Sequence, residues 1–187
     1  MRLSASDVKN IKNRKTTFVK NFTTIFKTGN SGESLEYNIQ PTSTVSKEEK
    51  DYDFNFISKI VDECARIVWL RGGDGGFASI WQVKHVQSHE PFFFTLFDFF
   101  RKTFKYPIEE RDGVDLIFSF TSMGGDAHTD AEDVFLIGLL GKTVYREYQT
   151  GEDYQVEKGD LLYIPKGNKH KAISVTPRII ASIGFYA

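Results

Sequence analysis

The sequence has a single cysteine, Cys64, among 187 residues. No disulfide can form within the chain, and none is needed, because a chain of this length buries roughly 70% of the surface its unfolded form exposes. A lone thiol fits a reducing compartment. Its place in the apolar-patterned run Ile57, Val61, Ala65, Val68 argues for a buried, inert group. An excess of charge is missing as well: 24 Lys and Arg stand against 25 Asp and Glu. That balance leaves no electrostatic footprint for nucleic acid. The mildly basic Lys9, Lys12, Arg14, Lys15, Lys20 and Lys27 read as a solvated surface. A long apolar run is the third absence. The longest, residues 91–100, is interrupted by Asp98 and is too short to span a membrane. The first thirty residues lack the continuous apolar core of a signal peptide. These absences lead to the expectation of a soluble cytoplasmic protein with no membrane and no clear nucleic-acid partner.

What is present divides in two. Residues 1–50 are polar and irregular, with short strands expected at 16–19 and 35–39. Phe54, Ile57, Ile60, Val61, Cys64 and Ile67 repeat at three and four and predict a helix over 54–67. A strand at 67–70 follows, ended by the run Gly72-Gly73-Asp74-Gly75-Gly76. That run lacks the Lys-Ser/Thr of a phosphate-binding loop and reads as a loop bordering a site. Residues 92–104 hold seven phenylalanines, with Phe93, Phe97, Phe100 and Phe104 at helical spacing. Such a helix is apolar on most faces and has to be covered, by the core or by a second copy in a homodimer.

From about residue 113 the texture changes to short apolar or alternating runs at 115–121, 134–139, 143–148, 153–156, 161–164, 171–175 and 179–185. Gly, Pro, Asn and Asp separate them. Many short strands at this spacing predict an antiparallel sandwich or closed barrel. With no linker and no internal repeat, 1–187 reads as one domain: a barrel core at 113–187 and a helical and irregular elaboration at 1–112.

Three residues in this half suggest a metal site. His128 and Asp130 are two apart, so in an extended segment both point to one face. His170 lies forty residues beyond Asp130 and completes a three-ligand face if the intervening strands fold back. Two imidazoles and one carboxylate suit Fe(II) with positions left open; a closed zinc site would show thiolates or a fourth ligand. Asp126, Glu132 and Asp133 are alternatives to Asp130. On a helix the spacing of four between His85 and His89 could bind a metal, but without a second pair they read as surface or core.

Gly159, Pro165, Gly167 and His170 match the spacing of the second cupin motif, whose final Asn is replaced by Ser174. The first cupin motif carries a second histidine where this chain has Asp130, and its later Glu has no clear equivalent. The sequence His128-Thr129-Asp130, then Asp133 to Ile137, then Gly141 to Arg146, then Gly159 to Gly167 resembles the JmjC-type oxygenases, in texture their ribosomal-oxygenase branch. The resemblance covers about residues 114–187. It implies a mainly β fold, a cupin or double-stranded β-helix jelly-roll barrel with N-terminal helices packed outside. It also implies an Fe(II)- and 2-oxoglutarate-dependent oxygenase, a hydroxylase, with His128, Asp130 and His170 as its catalytic metal ligands. The family acts on proteins, nucleic acids and small molecules, and a small molecule or a peptide is the substrate expected here. The alternative is a metal-binding cupin without 2-oxoglutarate chemistry, either another small-molecule enzyme or a ligand-binding module.

The resemblance leaves one position open. The family places a Lys or Arg fifteen residues beyond the first ligand histidine to hold the distal carboxylate of 2-oxoglutarate, and here that position is Thr143. A charged hydrogen bond is worth about 1.5–3 kcal/mol against about 0.5–1.5 kcal/mol for a neutral one. The loss would weaken cosubstrate binding about tenfold or more. Several residues are candidates to compensate. Thr143 and Tyr145 share a strand face and offer hydroxyls. Lys142 would turn inward at a bulge near Gly141. Arg178 shares a face with Ile180, Ser182 and Gly184 of the last strand, where other oxygenase branches carry an anchoring Arg. Ser119 and Thr121 are further candidates to line the pocket.

Overall fold

An apolar run without alternation marks a strand covered on both faces, and Val134 to Leu139 is such a run. In the computed structural model, which describes residues 1–23, 55, 67–72, 78–88, 90–119 and 124–186, it forms the centre of a layered barrel. The expected strand at 35–39, nearly all of the expected helix at 54–67, the glycine run beyond Gly72, Cys64, His89 and Thr121 lie outside the described residues. Helix α1 (Ala5–Lys12) and strand β1 (Thr17–Val19) open the chain. Strands β2 (Ile67–Gly72) and β3 (Ala78–Val83), a 3-10 turn (Val86–Ser88) and helix α2 (Pro91–Phe104) follow. The barrel strands are β4 (Gly113–Ser119), β5 (Asp133–Leu140), β6 (Thr143–Glu147), β7 (Asp153–Val156), β8 (Leu161–Ile164), β9 (His170–Ser174) and β10 (Arg178–Phe185).

The larger sheet has the order β1-β8-β5-β10-β4-β3-β2 and the smaller β7-β6-β9, with every pairing antiparallel. From β5 onward the chain passes between the two sheets, as a jelly roll requires. Each barrel run read from the sequence is a strand, within two residues at its ends. The strands expected at 16–19 and 67–70 appear as β1 and β2, whereas β3 is not foreseen; β1 extends one edge of the larger sheet, and β3 with β2 the other. The segment 1–12 was expected to be irregular, yet α1 forms there behind a capping box in which Ser4 and Asp7 exchange hydrogen bonds.

The double burial of β5 has two sources. Val134 and Leu136 point into the barrel with Tyr145, Leu162 and Ile180. Phe135, Ile137 and Leu139 point outward under the helices. There α2 lays Phe93, Leu96 and Phe100, all fully buried, on the sheet, each stabilising the fold by about 2 kcal/mol. Phe100 stacks on Phe135 at 4.3 Å and Phe97 on Phe185 at 5.1 Å. The phenylalanine-rich face is thus covered within the chain, while Phe94 is exposed. Pro91 opens this helix and Lys105, with φ 61°, ends it. No helix among the described residues is long and apolar enough to cross a membrane.

Candidate metal centre

The turn after β8 sets the position of His170. Gly167 adopts φ 81°, a left-handed conformation that glycine takes without steric cost. The N–H of Asn168 donates back to Pro165 at 3.1 Å, closing the turn. From there His170 pairs with His128: each backbone N–H donates to the other's carbonyl at 2.9 Å. Their rings come to 4.4 Å between centroids. Asp130 completes the group, with one carboxylate oxygen 3.6 Å from His128 Nε2 and the other 3.4 Å from His170 Nε2. All three donors lie within 4.8 Å of one another. Donors bonded to one metal at roughly 2.1 Å and at right angles stand about 3 Å apart, so little adjustment is needed.

The second ring nitrogens define the tautomers. His128 Nδ1 lies 2.8 Å from the carbonyl of Asp126, and His170 Nδ1 lies 3.0 Å from that of Asn168. A carbonyl only accepts, so each Nδ1 carries the proton and each Nε2 presents a lone pair toward Asp130. Burial lowers the pKa of His170 and favours the neutral imidazole that a metal needs. Side-chain exposure runs 4% for His170, 24% for Asp130 and 51% for His128, so the group is closed behind and open in front.

The other carboxylates are placed differently. Asp133 faces away from the group and accepts from Tyr106 Oη at 2.9 Å and from the Lys166 N–H at 2.9 Å. Asp126 reaches His128 through its backbone, and Glu132 packs over Gly184. Asp160 is a buried turn residue, bonded to the Asn21 and Glu157 N–H groups and to Lys20.

The three donors open onto a cavity of about 490 Å³ between the sheets. Of the candidates for the cosubstrate, Arg178, Tyr145 and Ser182 line it. Arg178 is almost fully buried at the start of β10, where its backbone pairs with Ser119 of β4. Ser119 is buried but outside the lining. Burial raises the Tyr145 hydroxyl to about 12, against a smaller opposing pull from Arg178, so it is a donor at neutral pH. Lys142 and Thr143 are not brought to the cavity. The Lys142 ammonium pairs with Glu157 at 3.1 Å on the outside, and Thr143 Oγ1 is buried with no hydrogen-bond partner among the described residues. A register shift does occur beside Gly141, where β10 passes β5, but it leaves Lys142 outward.

Sequence reading missed the wall built by β3. Gln82, Lys84 and His85 line the cavity, with Asp115, Arg111 and Tyr186. His85 is no member of a helical pair: it has φ 57° just before the 3-10 turn. The alternation Ile80, Gln82, Lys84 after the glycine run was the available signal.

No protein-family model matches the chain, and no curated protein matches it. Solved structures do. The ribosomal oxygenase YcfD of Escherichia coli, in complex with cobalt and 2-oxoglutarate, aligns with TM-score 0.53 and 26% identity over 65% of this chain and 39% of that one. Another structure of the Escherichia coli protein aligns with TM-score 0.66 and 19% identity over 100% of this chain and 53% of that one. A third gives TM-score 0.63 and 21% identity over 96% and 51%. The chain therefore spans about half the length of these proteins or less, and shares their fold.

Proposed function

We propose that the protein is an Fe(II)- and 2-oxoglutarate-dependent oxygenase that hydroxylates its substrate. One observation carries the reading. Two Nε2 lone pairs and a carboxylate converge at one point of a cavity whose wall also holds the buried guanidinium of Arg178. The donor set fits a divalent iron: two neutral imidazoles, one carboxylate and an open side. His128, Asp130 and His170 would hold the metal. Arg178, with the hydroxyls of Tyr145 and Ser182, would hold the distal carboxylate of the cosubstrate. The likeness to a ribosomal oxygenase that binds cobalt and 2-oxoglutarate supports the same assignment.

When bound, metal and cosubstrate supply the oxidising chemistry, dividing dioxygen between succinate and the hydroxylated product as carbon dioxide leaves. The chain's residues supply the rest. The backbone pairing of His128 with His170 fixes the donors before binding. The carbonyls of Asp126 and Asn168 hold the proton of each neutral imidazole on Nδ1 and leave Nε2 to the metal. Val134, Leu136 and Ile180 give the inner face an apolar section that limits water near the reacting centre.

A second reading, a metal cupin without 2-oxoglutarate, is favoured by the outward Lys142 and by Thr143 standing where the family carries a base. One experiment separates the two. Protein with Fe(II), ascorbate and 2-oxoglutarate is expected to form succinate, and His128→Ala is expected to form none. Metal binding without any 2-oxoglutarate binding or succinate would favour the second reading, and failure to bind metal would remove both.

A further inference from the structure

The wall that sequence reading missed has an unusual arrangement of charge. Asp115 of β4 uses both carboxylate oxygens internally: Oδ2 accepts from Gln82 Nε2 at 2.5 Å and Oδ1 from the His85 backbone N–H at 3.0 Å. The His85 carbonyl receives the N–H and the hydroxyl of Ser88, at 3.2 and 2.6 Å. These bonds hold His85 at φ 57°, a conformation that residues with side chains rarely adopt and that gathers at functional sites. Its ring occupies the space over Gly113, where a Cβ would come within 2.7 Å of His85 Nδ1.

With Asp115 occupied in this brace, the Lys84 ammonium and the His85 imidazole have no hydrogen-bond or ion-pair partner among the described residues. Both are half-buried and both line the cavity. The other charges on this side are engaged. Arg111 lies over the Tyr186 ring at 4.2 Å, and Glu132 packs between the Tyr186 hydroxyl and Gly184. The Lys84 ammonium is half-buried, and an incoming oxyanion would give it the charged hydrogen-bond partner that the described residues do not supply.

We propose that Lys84 and His85 form the substrate-recognition arm of the metal cavity, and that the substrate meets them with an oxyanion, a carboxylate or a phosphate. The ammonium supplies a compact point charge and the imidazole a directed donor. The word substrate rests on the oxygenase reading, whereas the anion site does not depend on turnover.

The test uses Zn(II)-loaded protein with ¹⁵N-labelled histidine, in which four imidazoles report. Acetate and methylphosphonate are titrated separately, with tetramethylammonium as the opposite charge. The His85 resonances are expected to move saturably with an anion, and the tighter of the two probes identifies the oxyanion. Lys84→Met is expected to weaken that binding about tenfold or more, and Lys84→Arg to restore most of it. Unchanged His128 and His170 signals mark each variant as folded. No saturable movement at His85, equal binding by Lys84→Met, or a response to tetramethylammonium instead would overturn the proposal. Succinate formation in the same preparation tests the oxygenase reading separately, so either can fail without the other.

Discussion

The peptide N–H of Gly167 donates to the carbonyl of Asp130 at 3.0 Å. The turn that delivers His170 therefore also holds the segment that delivers the carboxylate. One residue earlier the Lys166 N–H donates to Asp133, which is buried at the start of β5 and also accepts from Tyr106. Arg14 lies 3.6 Å from the same carboxylate. Asp133→Ala leaves a buried hydroxyl and an N–H without their acceptor, at a cost of roughly 3 kcal/mol in chemical denaturation. Asp133→Asn keeps an acceptor and is expected to lose less. Because this clamp joins both ligand-bearing segments, metal affinity measured against a competing chelator is expected to fall in the same order. An unchanged affinity in Asp133→Ala would detach the clamp from the centre.

Metal binding is expected to stabilise the fold, because the three donors meet only in the folded chain. At a metal concentration one hundred times the Kd the gain is about 2.7 kcal/mol, or roughly 5–10 °C in Tm for a chain of this size. Thermal melts with Zn(II) and with chelator should show this difference in the wild type. His128→Ala, Asp130→Ala and His170→Ala should each abolish it. The variants should differ without metal: half-exposed His128 can be removed with little effect, whereas buried His170 leaves a cavity.

Asp98 gives a pH dependence whose sign can be worked out. Burial works to raise its pKa, but the bonds from Lys102 at 2.6 Å and Arg101 at 2.7 Å outweigh it and hold the carboxyl below its ordinary 3.8. A carboxyl depressed in the folded state contributes stability above the unfolded value, and that contribution is lost as pH falls through the folded value. Asp98→Asn should therefore be destabilising at pH 7, by about 0.5–1 kcal/mol for two helical pairs. Well below pH 3.8 it should be nearly neutral. Urea titrations at both pH values check this, and an equal loss at each would assign the effect to packing instead.

The sequence made the barrel legible because its strands are short and separated by turn residues whose chemistry is local. Gly159, Pro165 and Gly167 act through backbone geometry, so their spacing alone places His170. The ligand set was legible for a similar reason: a two-residue separation on an extended segment determines a shared face. The covalent neighbourhood of Asp133 made it a possible ligand, and only the fold shows Tyr106 and Lys166 claiming it. Lys142 and Arg178 could not be separated from sequence, because the orientation of each depends on how β5, β6 and β10 pass one another. His85 was hidden most deeply. Its spacing to His89 carries meaning only on a helix and reads as surface or core, while a left-handed backbone held by a carboxylate thirty residues away sets its direction.

The assignment of the anchor to Arg178 makes a graded prediction. Arg178→Met keeps the volume and removes the guanidinium, so KM for 2-oxoglutarate is expected to rise roughly 10–100-fold, the worth of a charged hydrogen bond in a dry site. Arg178→Lys keeps a charge without the fork and should fall between the two. Tyr145→Phe removes a neutral donor and is expected to cost about 2–10-fold. Its hydroxyl titrates only near 12, so that difference should persist across the whole working pH range. Lys142→Ala is expected to leave KM within about twofold, since its ammonium pairs with Glu157 outside the cavity. Steady-state succinate formation across 2-oxoglutarate concentrations orders the four variants. A large rise in Lys142→Ala with none in Arg178→Met would place the anchor on β6 and require that strand to turn over in the loaded protein.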